Sequence, residues 1–356
     1  MSLQGGKTTT YTAVYEPFSD AGGLAQTELD QLAAQASIYG WTFTMSFNSA
    51  TDRALDAITG DVDAERPTGA RKSMFVEGEK ADAATLPAAF DWRTQGGVTP
   101  VKNVQGCAAS WAFATNAVTE SVIKILDKDT ADLSEEYLVS ANANGWTCAT
   151  GGNRAFGFYS VDETQCSQIG AVLEKDFPYR SADAQLNCPY NPQYRLRTWG
   201  YVAGEFPTES QIKEAITTYG PVYVSVTADR AFQAYTGGVY NNDANGTTNL
   251  AAVLVGWDDA QGTAGVWILR NAWGNGWGED DGYMRIEYGC SSVGRWAAFA
   301  QYTGQRAPVL ESFTINDGAV MTHSRTVTLD PVWTGTRPSS YLASEHANFS
   351  DTDWTA

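Results

Sequence analysis

The chain has 356 residues, enough for about two domains, and its 43% apolar and 12% aromatic content can fill a core, which excludes a disordered chain. A formal net charge of −18 offers no basic face to nucleic acid or to an anionic membrane. The longest apolar run, 250–257, is far short of the ~20 residues of a membrane helix, so no membrane insertion is expected.

Residues 1–85 form a polar leader rich in Thr and Ala. Within it, Leu29, Leu32 and Ala33 share one face of a helix expected over 27–36, with Thr27 as N-cap. Alternating bulky and polar residues over 41–47 predict a strand, and 65–84 reads as a charged, turn-rich linker. No signal peptide is visible; Met1-Ser2-Leu3 reads as an expression start from which a native leader would have been removed.

From Leu86 to about Tyr302 the pattern is densely globular. Trp111, Ala114, Val118, Val122, Ile125 and Leu126 recur at helical spacing and predict a helix over 110–126, for which Ser110 is a good N-cap. Strands are expected over 221–227, 250–257, 266–270 and 283–287. A helix early and strands late suggest an α+β protein with two halves facing each other across a cleft. The stretch 241–246 lacks the closing Glu of a calcium loop and reads as a turn, and Asn245-Gly246-Thr247 fits a glycosylation acceptor.

Five cysteines are present, and four of them can form two bridges in any of three pairings, which leaves one thiol free. The two histidines, His323 and His346, lie near the C-terminus, and no spacing resembles a zinc site, so neither a metal nor a cofactor is expected. After Arg306-Ala307-Pro308 a third texture begins, with strands over 309–315 and 325–329 around an Asn316-Asp317-Gly318 turn. This tail, 306–356, reads as a partial Ig-like or Fn3-like β module, the start of a longer array of surface repeats.

Several motifs stand in a telling order. They are Leu86-Pro87, Phe90-Asp91-Trp92-Arg93, the run from Gly97 to Asn103, Leu133-Ser134-Glu135-Glu136, Phe177-Pro178-Tyr179, and the run from Arg270 to Gly278 followed by Gly282-Tyr283. In order and spacing they resemble the papain-like (C1) cysteine proteases over about 86–302. The resemblance implies a two-lobed fold over 86–305, with a helical lobe (about 86–205) and a β-barrel-like lobe (about 206–302). It also implies that the leader is a pro-segment remnant. Within Cys107-Ala108-Ala109-Ser110-Trp111, Ser110 stands where the family has its nucleophilic cysteine, while Cys107 survives and by resemblance bridges to Cys148. Cys166 could then pair with Cys188, leaving Cys290 without an obvious partner. Leu250 stands at the histidine position, and Asn271 at that of the residue that orients the imidazole. Val104 replaces the oxyanion glutamine, with Gln105 one place later. Trp111, Gly151, Gly152, Asn249, Trp273 and Trp277 are expected to line the cleft.

The helix dipole contributes only ~0.3–2 kcal/mol, too little to ionise a serine hydroxyl, and Leu250 accepts no proton. An engineered Cys→Ser exchange would explain Ser110 but not Leu250. The expectation is therefore a pseudoprotease that is not an enzyme: an extracellular or cell-surface, bacterial-type module binding a peptide or protein in its cleft. The alternatives are an architectural domain of an adhesin-like chain, or residual hydrolysis through Ser110.

Overall fold

The computed structural model describes residues 22–62 and 86–304, together with the backbone of 309–315 and 329–334. The 65–84 linker, the 316–318 turn and both histidines lie outside the described residues. Helix α1 spans Gln26–Tyr39, longer than expected at both ends. Thr27 lies inside it rather than capping it, because the Glu28 carboxylate accepts from the Ala25 amide at 2.7 Å. Gly40, at φ 68°, ends the helix in the left-handed conformation that favours glycine. The expected strand follows as β1, Thr42–Met45.

Short strand β2, Ala89–Asp91, precedes the central helix α2, Ser110–Asp127. From Ser110 to Ile123 every residue of α2 is buried, so it is a core helix rather than an amphipathic one. Three of its hydroxyls are satisfied within it: Thr115, Thr119 and Ser121 each donate to the carbonyl four residues back. Helices α3 (Glu135–Ala141) and α4 (Phe156–Ser160) complete the helical part. Next come β3 (Thr198–Tyr201), α5 (Glu209–Tyr219), β4 (Val222–Val226), α6 (Arg230–Ala234) and β5 (Tyr235–Tyr240). The domain closes with β6 (Leu250–Asp258), β7 (Val266–Arg270), β8 (Tyr283–Glu287) and β9 (Arg295–Gln301).

One sheet runs in the order β1-β5-β8-β7-β6-β4-β9-β3, with β2 paired on β6. Its neighbours are antiparallel except β5 and β8. The expected α+β arrangement, helices early and most strands late, is what the structure shows, and two short strands of the first half join the sheet. β2 and β3 both come from the first half yet hydrogen-bond to β6 and β9, because unpaired strand edges are satisfied only in the sheet. β1 of the leader pairs with β5 at the sheet's edge. Leader side chains Leu24, Leu32, Phe43, Leu55 and Ile58 belong to the same apolar core as α2 and β6. In the tail, β10 (Val309–Ile315) pairs antiparallel with β11 (Leu329–Thr334); of the strand expected over 325–329, residues 325–328 lie outside the described residues.

Candidate active site

The N-terminal end of α2 meets the start of β6. The Cys107–Cys148 disulfide, with Cα atoms 4.5 Å apart, ties the approach to α2 to the loop that carries Gly151 and Gly152. Cys166 pairs with Cys188, and Cys290 is a buried free thiol pushed up to about 11 by burial. Ser110 is completely buried and is not the N-cap: it is the first helical residue, after Ala109. Its Oγ accepts a 3.1 Å hydrogen bond from the Ala251 amide, so the hydroxyl is held against β6 instead of folding back on its own helix.

Leu250, also without exposure, opens β6 opposite Val226. Asn271 follows β7; its Oδ1 accepts from the Ala272 amide at 2.8 Å, while its buried Nδ2 has no hydrogen-bond partner among the described residues. Val104 is buried, its amide donating to the Ala272 carbonyl, and this register turns Gln105 outward as an exposed residue at φ 57°. Trp111 packs edge-on against Trp146 at 5.1 Å, and Gly152 lies against both rings. A Cβ on Gly152 would come within 2.7 Å of the Trp111 ring, so only glycine brings this backbone so close. Trp273 faces the cleft and donates to the Ile58 carbonyl at 2.6 Å. Trp277 sits deeper, stacked on Phe232 at 5.6 Å.

Between these walls lies the leader. The Ser110 amide donates to the Thr59 carbonyl at 3.0 Å. The amides of Gly60 and Asp61 both donate to the Asn249 carbonyl at 2.9 Å. Gly152 pairs in parallel with Asp61, accepting from the Val62 amide at 2.8 Å and donating to the Gly60 carbonyl at 2.9 Å. Ser49 Oγ donates to the Trp273 carbonyl, and Gln233 Nε2 to those of Ala50 and Arg53. The cleft residues expected from sequence are thus brought together, but the group that contacts them was missed. Thr59, Gly60 and Asp61 carry no local signal beyond a Gly-Asp pair after an apolar turn.

Behind the site, a cavity of about 10 Å³ is lined by Lys102, Glu120, Glu135, Ala251 and Asn271, among others. Lys102 Nζ lies 2.8 Å from Glu120, 2.7 Å from Asp132 and 3.0 Å from Glu135. Burial pushes the Glu135 carboxyl up to about 7 against the pull of Lys102. Burial opposes the charge on Lys102, but Glu135 and Glu120 outweigh it and hold its ammonium above the ordinary lysine range.

Residues 86–302 match the family described as Papain family cysteine protease. The chain is 32% identical over 208 residues to cysteine proteinase COT44 of Brassica napus, covering 58% of this chain and 61% of that protein's length. It is 34% identical to Zingipain-2 of Zingiber officinale over 205 residues, 57% of this chain and 88% of that relative. Among solved structures, the digestive procathepsin L2 proteinase of Tenebrio molitor larval midgut superposes with a TM-score of 0.66 at 30% identity, covering 78% of this chain and 90% of that one. These findings correct the expectation that the chain is not an enzyme: the relatives are named proteases, and the likeness, which spans the whole domain holding the cleft, points to an enzyme. That expectation rested on two side chains, Ser110 and Leu250. The chain belongs to the papain family of cysteine proteases.

Proposed function

We propose that the chain is a slow peptide-bond hydrolase of papain type that takes an extended peptide across Ser110, with residues 22–62 acting as a pro-segment in the same place. The observation that carries this is the Thr59 carbonyl held 3.0 Å from the Ser110 amide at the head of α2. An unpaired helix N-terminal amide is a donor suited to the oxyanion that forms when a carbonyl is attacked. The Asn249 carbonyl and both polar groups of Gly152 hold the peptide backbone on either side. The bond that forms is Ser110 Oγ to the carbonyl carbon, and the bond that breaks is C–N. The hydroxyl proton ends on the leaving amine, and water then hydrolyses the ester. With Leu250 at the start of β6, Ser110 has no imidazole among the described residues to carry that proton, so water admitted on departure of the leader must relay it. Loss of nucleophile or base in a serine protease costs roughly 10⁶ in turnover, while oxyanion stabilisation and binding retain ~10³–10⁴ over water. Slow turnover follows. The two disulfides fit an oxidising compartment.

A second reading, a peptide-holding role for the same cleft, is favoured by Leu250, whose apolar side chain suits retention of a bound segment better than its release. One experiment addresses both: fluorophosphonate labelling and turnover of a peptide library by the chain and by its Ser110→Ala variant. Labelling at Ser110 with turnover that the variant loses is the expected result. Equal turnover in both proteins and no labelling would remove Ser110 from the chemistry; peptide binding without labelling would favour the second reading.

A further inference from the structure

We infer that the cleft carries a pocket for an acidic side chain, built on Arg154 and Tyr223, and that the peptide it accepts presents Asp or Glu beside the backbone pairing at Gly152. This rests on the peptide-binding reading of the cleft. The leader shows what the pocket holds. Asp61 is the residue flanked by the two main-chain bonds to Gly152, so its side chain is the one aimed at the wall beside that glycine. That side chain is 4% exposed, and a carboxylate so buried needs compensation.

Compensation comes through Tyr223, at 0% exposure, whose hydroxyl donates to Asp61 Oδ1 at 2.6 Å. The Arg154 guanidinium lies over the same ring, 4.6 Å from its centroid, and 5.3 Å from that of Tyr201. Arg154 is itself 7% exposed and rigidly placed. It donates to the Trp296 carbonyl at 3.0 Å, to Asn153 Oδ1 at 2.6 Å and to Ser225 Oγ at 2.8 Å. Both charges are felt at the phenol: burial and Asp61 raise its titration well above the ordinary value, while Arg154 acts in the opposite direction. A buried cation set in neutral acceptors beside a peptide-pairing glycine, with a carboxylate seated on the intervening hydroxyl, is a site for one sign of charge. An apolar or basic side chain in its place would leave Arg154 poorly compensated. Arg154 and Asp61 are separated in sequence by β2, α2 and α3, which is why composition and motif order were silent about their proximity.

The test uses the full chain. Gly60→Glu unseats the leader, because a Cβ there lies 2.1 Å from the Ala108 carbonyl oxygen. Fluorescent hexapeptides that differ only in one residue (Asp, Glu, Asn, Leu or Arg) are then titrated by anisotropy. Asp and Glu peptides are expected to bind roughly tenfold or more tightly than Asn or Leu peptides, with the preference lost in Arg154→Met and reduced in Tyr223→Phe. Binding without acidic preference overturns the inference and leaves the peptide reading standing. If no peptide binds, the peptide reading fails, and hydrogen exchange over 58–62 in the chain with Gly60 intact decides the pocket. Asp61→Asn and Tyr223→Phe should each speed exchange there, and the double variant little more than either; unchanged exchange in both singles overturns the pocket.

Discussion

The carbonyl of Thr59 accepts a 3.0 Å hydrogen bond from the amide of Ser110, the first residue of α2. A residue of the leader therefore occupies the main-chain donor at the head of α2. The next residue, Gly60, has φ 102° and a Cα so close to Ala108 that no side chain fits.

Gly60→Ala is expected to loosen the leader rather than the domain. A left-handed alanine and the contact with Ala108 together cost about 1–3 kcal/mol locally. Limited proteolysis should cut within 55–62 faster than in the parent chain, while the far-ultraviolet circular dichroism stays the same. Unchanged cleavage would mean that the leader is not held by this close approach.

Ser110→Cys combined with Leu250→His should raise peptide turnover by at least about 10³, since the pair together makes a thiolate at a helix N-terminus. A chromogenic peptide assay measures it, with each single exchange as control. Neither single exchange should give more than a small part of the gain, because nucleophile and base act as a unit. No gain in the double variant would mean that the leader, not the missing pair, limits the site.

Replacing Cys107 and Cys148 by serine removes a bridge that spans 41 residues. Chain-entropy arguments put the loss at about 4 kcal/mol. Thermal unfolding should shift down sharply, and turnover should fall with it, because the bridge sets Ala108 and Gly152 on either side of Thr59–Asp61. Loss of stability without loss of peptide binding would show that the loop keeps its place unaided.

Glu135 sets a pH dependence. Burial raises its carboxyl to about 7 in the folded chain, above the ordinary 4.5. A raised value means that the folded state binds the proton more tightly than the unfolded one. Stability from this group is thus present below about 4.5 and is lost as pH rises through about 7. Glu135→Gln should flatten the decline of unfolding free energy across that window, read by urea denaturation at several pH values. The same slope in both proteins would place the titration elsewhere in the Lys102 cluster.

Much of the architecture was legible along the chain. The strands over 266–270 and 283–287 have the bounds expected from their apolar patterning, and α2 ends one residue beyond the expected 126. Short-range periodicity carries such elements. The positions of Ser110, Leu250 and Asn271 were legible too, because ordered motifs fix register within one family. Thr27 and Ser110 were misread as caps, since a capping side chain competes with other acceptors and donors that local sequence does not display: Glu28 in one case and the Ala251 amide in the other.

By itself the sequence determined the family, the elements and which residues stand at the head of α2 and the start of β6, since all of these depend on near neighbours and on motif order. Only the tertiary structure decided that the leader lies across Ser110, that β2 and β3 cross into the sheet, and that Asp61 meets Tyr223 across 162 residues of chain. Those contacts arise from satisfying buried main-chain and charged groups at long range, and no local pattern encodes where the partner will come from.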